Sequence, residues 1–154
     1  MHTVDVIRIA APPERVWPFA VQVERWPEML PHYRAVSRLA GTPEHDGTVA
    51  MSAWRPFGGP LNWPTWWHAA MQVDHARHEI RYQHIAGITT GMDVLWTLTG
   101  EANATVITLL HDWRGPRWPL IGPLAANLVI GPVFIHGIAS RTLAGIARAA
   151  TAAA

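Results

Sequence analysis

The chain has 154 residues, a length that fits one domain, and 49% of them are hydrophobic while only 15% are charged. This balance excludes a disordered chain, and a formal net charge of +1 gives no electrostatic reason to expect nucleic-acid binding. The sequence contains no cysteine, which excludes disulfides, a thiolate nucleophile and Cys-based zinc sites.

In chain order, the sequence predicts a strand, two short helices, six strands and a long C-terminal helix, all in one domain spanning 1–154. Residues 3–9 are rich in β-branched side chains, Pro12 and Pro13 open the first helix, and the second helix ends at Pro31. Turn-forming residues then separate six candidate strands at 33–39, 48–55, 66–73, 79–85, 89–99 and 104–113. Because short turns join these strands, we expect an antiparallel meander.

Side chains alternate between the two faces of a strand, which predicts the residues that share the inner face of the sheet. If Glu101 and Ala102 form a two-residue turn, Trp96 opposes Ile107 and Met92 opposes His111. Asp93 and Asp112 then fall on the solvated outer face. The inner face collects Met51, Arg55, Trp67, Met71, Tyr82, His84, Met92, Val94, Trp96, Leu109, His111 and Trp113. An aromatic, apolar surface with a few polar tips is typical of a ligand pocket.

Residues 120–139 form 20 consecutive positions without a charge, which is long enough for a membrane span. Pro123 and Pro132 favour the other interpretation, a helix that the sheet covers. We expect Pro132 to kink this helix near 128–131 and to place Asn127 or His136 towards the cavity mouth. Contact with a membrane, or with a second subunit in a homodimer, is the alternative for this segment.

The remaining sequence features predict a cytoplasmic protein without a bound metal. The N-terminus shows no basic region followed by an apolar run, as a signal peptide would. His75, His78 and His84 are close together in the sequence, but His75 and His78 span a predicted turn and no His-x-x-x-His helix accompanies them. We therefore expect neither a metal nor another cofactor.

The order of elements and several motifs resemble the START-like (SRPBCC) superfamily. The motifs are the run from Ala11 to Trp17, the segment 23–28, the Trp-rich strand around 63–67 and the strand 92–97. Within the superfamily, the chain is most similar to the bacterial polyketide cyclase/dehydrase group, which includes aromatase/cyclases. The resemblance implies an α+β helix-grip fold, in which a curved seven-stranded antiparallel sheet, two short helices and a long C-terminal helix enclose a cavity.

The resemblance also implies a substrate and a reaction. The cavity would hold a folded poly-β-ketone, delivered on an acyl carrier protein, and promote its aldol cyclisation and dehydration. The matching cavity aromatics are Trp26, Tyr33, Trp67 and Trp96. Members of the group commonly carry a cavity arginine on the strand of the Trp cluster, where this sequence has Met71. Arg55, on the preceding strand, is the candidate substitute.

The chemistry of an aldol condensation suggests roles for three residues. Arg55 and Tyr33 are candidate donors to a developing enolate, and His111 is the candidate base, with His84 as the second choice. The predicted substrate contacts are Trp26, Trp67, Met71, Tyr82, His84, Met92, Trp96, Trp113 and Asn127. Two other functions stay open: a non-catalytic carrier of a quinone, lipid or polyketide, and a membrane-associated or interaction module.

Overall fold

The computed structural model describes residues 1–57, 61–115 and 135–152, with side chains for all of these except 55–57 and 61–63. Seven strands form one antiparallel sheet in the order β1-β7-β6-β5-β4-β3-β2, which confirms the predicted α+β helix-grip fold. The elements are β1 (His2–Ile9), α1 (Pro13–Val21), a 3₁₀ turn (Val23–Arg25), α2 (Trp26–Met29), β2 (Tyr33–Gly41), β3 (Gly47–Phe57), β4 (Leu61–Asp74), β5 (Glu79–Gly87), β6 (Asp93–Glu101), β7 (Ala104–Asp112) and α3 (His136–Ala152).

Prolines set the beginning of the first helix. Pro12 is extended and Pro13 takes the first helical position, where a missing N–H costs no intrahelical hydrogen bond. Pro18 lies inside α1, which ends after nine residues. The buried side of this short helix consists of Val16, Trp17, Ala20 and Val21, and it packs into the core beside the sheet.

The hairpin between β6 and β7 corrects the predicted register. Glu101 pairs with Ala104, so the turn is Ala102 and Asn103, and Trp96 opposes Leu109 rather than Ile107. The predicted turn lay one residue early because Ala102 has a left-handed φ of 47°, which alanine rarely adopts. The register moves by two residues, so every side chain keeps its predicted face.

Several strand ends also differ from the prediction. The hairpin of β3 and β4 extends to Phe57 and Leu61, beyond the predicted break at 56–60. Strand β6 begins at Asp93 rather than at residue 89, because a turn with Gly91 at a φ of 84° precedes it. Register shifts interrupt the β2–β3 and β4–β5 pairings, and such bulges bend a sheet. The bending lets one face curve around the cavity.

The C-terminal helix α3 closes the curved face. Its buried residues include Leu143, Ile146 and Ala150, which join the core with α1. His136, at its start, contacts Asp5 on β1 at 2.5 Å, and 62% of the His136 side chain is exposed. Most of the predicted apolar segment, including Asn127 and Pro132, lies outside the described residues. Within the described part of the chain, no helix has the length and apolarity to cross a membrane.

A substitution at Gly145 tests how closely α3 approaches the end of α2. A Cβ at this position would overlap the Leu30 side chain, which is fully buried, whereas a Cβ at Gly137 on the same helix meets nothing within 4 Å. We expect Gly145→Ala to lower the free energy of unfolding by about 1–3 kcal/mol. Gly137→Ala should be neutral or stabilising by up to about 1 kcal/mol. Urea unfolding measures both, and equal effects would contradict this packing.

Candidate functional site: an aromatic cavity under the C-terminal helix

A cavity lies between the inner face of the sheet and α3. Its empty volume is about 550 Å³, a figure that includes space open to solvent. No Asp, Glu or Arg side chain is among the lining residues in the described part of the chain. These residues are Trp26, Tyr33, Met51, Trp67, Tyr82, His84, Thr89, Met92, Val94, Trp96, Leu109, His111, Ile135, Ile138, Ala139 and Thr142.

Five rings form a chain of contacts along one wall of the cavity. The Trp26 ring lies 5.7 Å from that of Trp96 and 5.1 Å from that of Tyr33, and both pairs are inclined. Tyr33 in turn contacts Trp67, whose ring stacks on His84 with an interplanar angle of 7°. The Trp26 indole N–H donates to the Phe19 carbonyl at 2.9 Å, which fixes this ring. The stacked pair of Trp67 and His84 is the flat part of the wall, and the other rings meet it at an angle.

Two histidines give the cavity its polar nitrogen atoms. The Nδ1 atom of His84 is 2.6 Å from the Thr89 hydroxyl, and that of His111 is 3.3 Å from the Thr3 hydroxyl. Neither Nε2 atom has a hydrogen-bond partner among the described residues. Burial, followed by the neighbouring His111, lowers the pKa of His84 to about 3, and burial lowers the pKa of His111 to about 4. Both imidazoles are therefore neutral at physiological pH.

The Tyr82 phenol is the most unusual polar group of the cavity. Its oxygen is fully buried and has no hydrogen-bond partner among the described residues, although a buried hydroxyl normally has one. Burial and the nearby Tyr33 phenol raise the pKa of Tyr82, while the Arg38 guanidinium opposes this shift. The phenol therefore keeps its proton at any physiological pH.

Of the predicted catalytic residues, Tyr33 and His111 line the cavity. Arg55 is paired with Trp63 in the β3–β4 hairpin, and its side chain lies outside the described residues. The structure brings together the predicted contact residues Trp26, Trp67, Tyr82, His84, Met92 and Trp96 around one space. Asn127 also lies outside the described residues, so the substrate contact assigned to Asn127 and the catalytic role assigned to Arg55 stay predictions.

Met71 and Trp113 are placed differently from the prediction. Both are at most 2% exposed and pack in the core rather than on the cavity surface. The Trp113 indole N–H donates to the Thr90 carbonyl at 3.0 Å, which holds the ring against the turn before β6. Beside Met71, 4.0 Å from its sulfur, lies the guanidinium of Arg38, which forms a salt bridge with Glu24. An arginine therefore lies beside Met71 on the Trp-rich strand β4, although this arginine belongs to β2.

Sequence reasoning missed the polar groups that do not come from strands. Thr89 belongs to the turn between β5 and β6, and Thr142 belongs to α3, so strand alternation says nothing about either. Ile135, just before α3, and Ile138 and Ala139 on α3 were missed for the same reason. The spacing 135, 138, 139 and 142 is a helical i, i+3, i+4, i+7 pattern, and this pattern was the signal available for this side of the cavity.

The histidines near the β4–β5 turn serve structural roles. Trp17 donates its indole N–H to His75 Nδ1 at 3.1 Å, and His75 Nε2 donates to the Glu44 carbonyl at 2.8 Å. Both ring nitrogens of His75 are thus occupied by the protein itself. Within the described ranges, no three His, Asp or Glu residues are close enough to hold a metal ion.

The sequence matches a known family over residues 9–131, and the family is described as polyketide cyclase / dehydrase and lipid transport. This match covers most of the chain, so the protein belongs to that family, which confirms the resemblance. The family contains both enzymes and ligand carriers, and the cavity is consistent with a ligand-binding helix-grip protein.

Solved structures of similar fold agree with this membership. The Zhui aromatase/cyclase from a Streptomyces species has a TM-score of 0.82 at 20% identity, covering 98% of this chain and 93% of the other. A Thermus thermophilus protein has a TM-score of 0.80 at 19% identity, covering 100% and 99%. A major latex-like protein from Panax ginseng has a TM-score of 0.70 at 9% identity, covering 99% and 96%. At these identities the likeness establishes the fold alone.

The lowered pKa values of His84 and His111 predict how stability depends on pH. In the unfolded chain both histidines titrate near pH 6.5, so between about pH 4 and 6.5 the unfolded state binds more protons. Stability is therefore full above pH 6.5 and falls as the pH decreases, by up to about 1.4 kcal/mol per pH unit for each histidine. Urea unfolding between pH 4 and 8 measures this slope. His84→Gln and His111→Gln should reduce it, whereas His2→Gln, at an exposed position, should not; equal slopes in all variants would contradict this prediction.

Proposed function

We propose that this protein binds a folded poly-β-ketone, or a related aromatic intermediate, in the cavity and promotes its aldol cyclisation and dehydration. The observation that carries the proposal is the cavity surface itself. Aromatic walls enclose a space whose lining includes two tyrosines, two neutral histidines and two threonines but no charged side chain in the described part of the chain. The family description and the aromatase/cyclase fold support the same class of substrate.

The first contribution of the cavity is to bend the substrate. An aldol within one chain requires two distant carbons to meet, and rigid positioning of this kind lowers a barrier by several kcal/mol, up to about 7–11 in ideal cases. The rings from Trp96 through Trp26 and Tyr33 to Trp67 form a continuous wall in which neighbouring ring planes are inclined by 38° to 63°. Because the ring planes change direction along the wall, a substrate that follows it is bent.

The second contribution is proton transfer between neutral groups. In the proposed reaction, His111 Nε2 takes a proton from a methylene between two carbonyls, and the resulting enolate carbon attacks a third carbonyl. That carbonyl oxygen accepts a hydrogen bond from Tyr82 or Tyr33 and then a proton, which gives a β-hydroxyketone. Loss of a second α-proton and of the hydroxyl as water completes the dehydration, and no oxidant is required. With its pKa near 4, His111 is a weak base at neutral pH, so proton abstraction is the demanding step, whereas protonated His111 returns its proton readily.

The Tyr82 hydroxyl is the sharpest test of the proposed reaction. Tyr82→Phe removes an unpartnered buried polar atom, so the thermal midpoint should stay equal or rise. If the phenol polarises a substrate carbonyl, the variant should make the cyclised, dehydrated product about tenfold more slowly or worse. The assay supplies an enzymatically generated, unreduced poly-β-ketone and follows its products by liquid chromatography and mass spectrometry. Trp66→Phe is the matched control because it also reduces one aromatic side chain of the sheet, at an exposed position that does not line the cavity.

The roles of Arg55 and His111 need a separate experiment. Arg55→Ala and His111→Ala should each shift the product distribution towards that of spontaneous cyclisation, because a donor or a base is lost. Leu95→Ala, on the opposite face of β6, is the control for the general effect of truncation. Unchanged products in both the Arg55 and the His111 variant would exclude catalytic roles for these residues.

A second candidate function is non-catalytic binding or transport of a quinone, lipid or polyketide. The observation that favours it is the neutrality of the cavity, which offers no charged catalytic pair in the described lining. The two functions differ in one outcome of the same assay. A carrier would protect and bind the poly-β-ketone while leaving its product distribution equal to that without protein.

Delivery of the substrate on an acyl carrier protein and assembly into a homodimer are further parts of the proposal. Both rest on the resemblance and on the apolar segment 120–139. Affinity measurement against a loaded carrier protein and light scattering after size-exclusion chromatography test them.

A further inference from the structure

A groove on the outer side of α3 carries a second set of chemistry-bearing residues. It has an empty volume of about 710 Å³, including space open to solvent, and lies next to the aromatic cavity. Two arginines from α3, an indole and an imidazole surround it. The lining residues are Pro31, His32, Trp54, Arg141, Ala144 and Arg148.

The two arginines of the groove are available to a ligand. Arg141 and Arg148 are seven residues apart on α3, or about 10.5 Å along its axis, and therefore lie on one side of the helix. All 11 Asp and Glu residues of the sequence fall in the described part of the chain, and the salt bridges found there engage other cations. Both side chains are exposed, so two guanidinium groups face the groove without a side-chain carboxylate partner.

Trp54 gives the groove an apolar surface, and a further arginine, which does not line the groove, lies against its ring. The Arg34 guanidinium lies 4.5 Å from the centre of the Trp54 ring, and Trp54 is 37% exposed. The Trp54 backbone N–H donates to the His32 carbonyl at 2.7 Å, which fixes these two residues relative to each other. Burial is the main cause that lowers the pKa of His32 to about 4, and the positive charges of Arg141 and Arg148 lower it further. Both guanidinium groups are therefore close to this ring.

We infer that this groove is a binding site for a small-molecule phosphate ester, with the phosphate held by Arg141 and Arg148 and the ester group lying against Trp54. Guanidinium groups match phosphate oxygens with paired, charge-assisted hydrogen bonds, and an exposed indole offers an apolar surface beside them. The site does not depend on the reaction proposed for the cavity, because none of its six residues lines that cavity.

The groove and the cavity share one hydrogen-bonded wall. His32 lines the groove and Thr142 lines the cavity, and His32 Nε2 is 2.9 Å from the Thr142 hydroxyl oxygen. The Thr142 hydroxyl donates to the Ile138 carbonyl at 2.8 Å, so its oxygen accepts the N–H of His32. A phosphate in the groove would therefore lie two side chains away from the ligand in the cavity.

Calorimetric titration of the full chain with phenyl phosphate at low salt tests the site, with inorganic phosphate and phenol as partial probes. We expect phenyl phosphate to bind more tightly than either partial probe. The double substitution Arg141→Gln/Arg148→Gln should weaken its binding by at least about tenfold. Trp54→Ala should reduce the affinity for phenyl phosphate to that for inorganic phosphate.

Arg77→Gln/Arg114→Gln is the matched control, because it also removes two positive charges, but at positions that do not line the groove. The assignment is overturned if phenyl phosphate does not bind, or if both double variants weaken it equally. Vesicles that contain phosphatidic acid form a second arm of the experiment. Retention on these vesicles without any binding of phenyl phosphate would overturn the assignment to a soluble ligand. Circular dichroism establishes that each variant is folded.

Discussion

The enclosure of one sheet face decides what the polar groups of this protein can do. A charged group costs much free energy when it leaves water, so the residues that reach the cavity are apolar, hydrogen-bonded or neutral. Burial lowers the pKa of His84 and His111, so both are neutral, and it raises the pKa of Tyr82, so the phenol stays protonated. The electrostatics of the cavity thus follow from burial, and any chemistry performed there must proceed between neutral partners.

Strand alternation explains how much of the cavity could be predicted from the sequence. Trp67, Tyr82, Trp96 and His111 were assigned to the inner face although the predicted register of the last hairpin was wrong, because a register error of two residues preserves parity. Alternation names a face, however, and not the depth of a residue within it. Met71 has the right parity and still lies in the packed core.

Groups outside the strands obey other rules and escaped the same reasoning. Thr89 lies in a turn and Thr142 lies in a helix. Thr89 contacts His84, which strand alternation places on the inner face, and Thr142 contacts His32, which lies outside the predicted strands. Arg38 belongs to β2, but its long side chain extends to Met71 on β4 and forms a salt bridge with Glu24. Contacts between elements distant in sequence, such as these, have no periodic signature along the chain.

Helix α3 presents two adjacent stripes to two different spaces. Ile138, Ala139 and Thr142 face the aromatic cavity, while Arg141, Ala144 and Arg148 face the outer groove. Because the stripes share no residue, substitutions can alter what one space recognises without touching the other. Both stripes nevertheless belong to one helix, so a displacement of α3 that widens one space also changes the other. Any coupling between ligands in the two spaces would therefore pass through the position of α3, and such coupling acts equally in both directions.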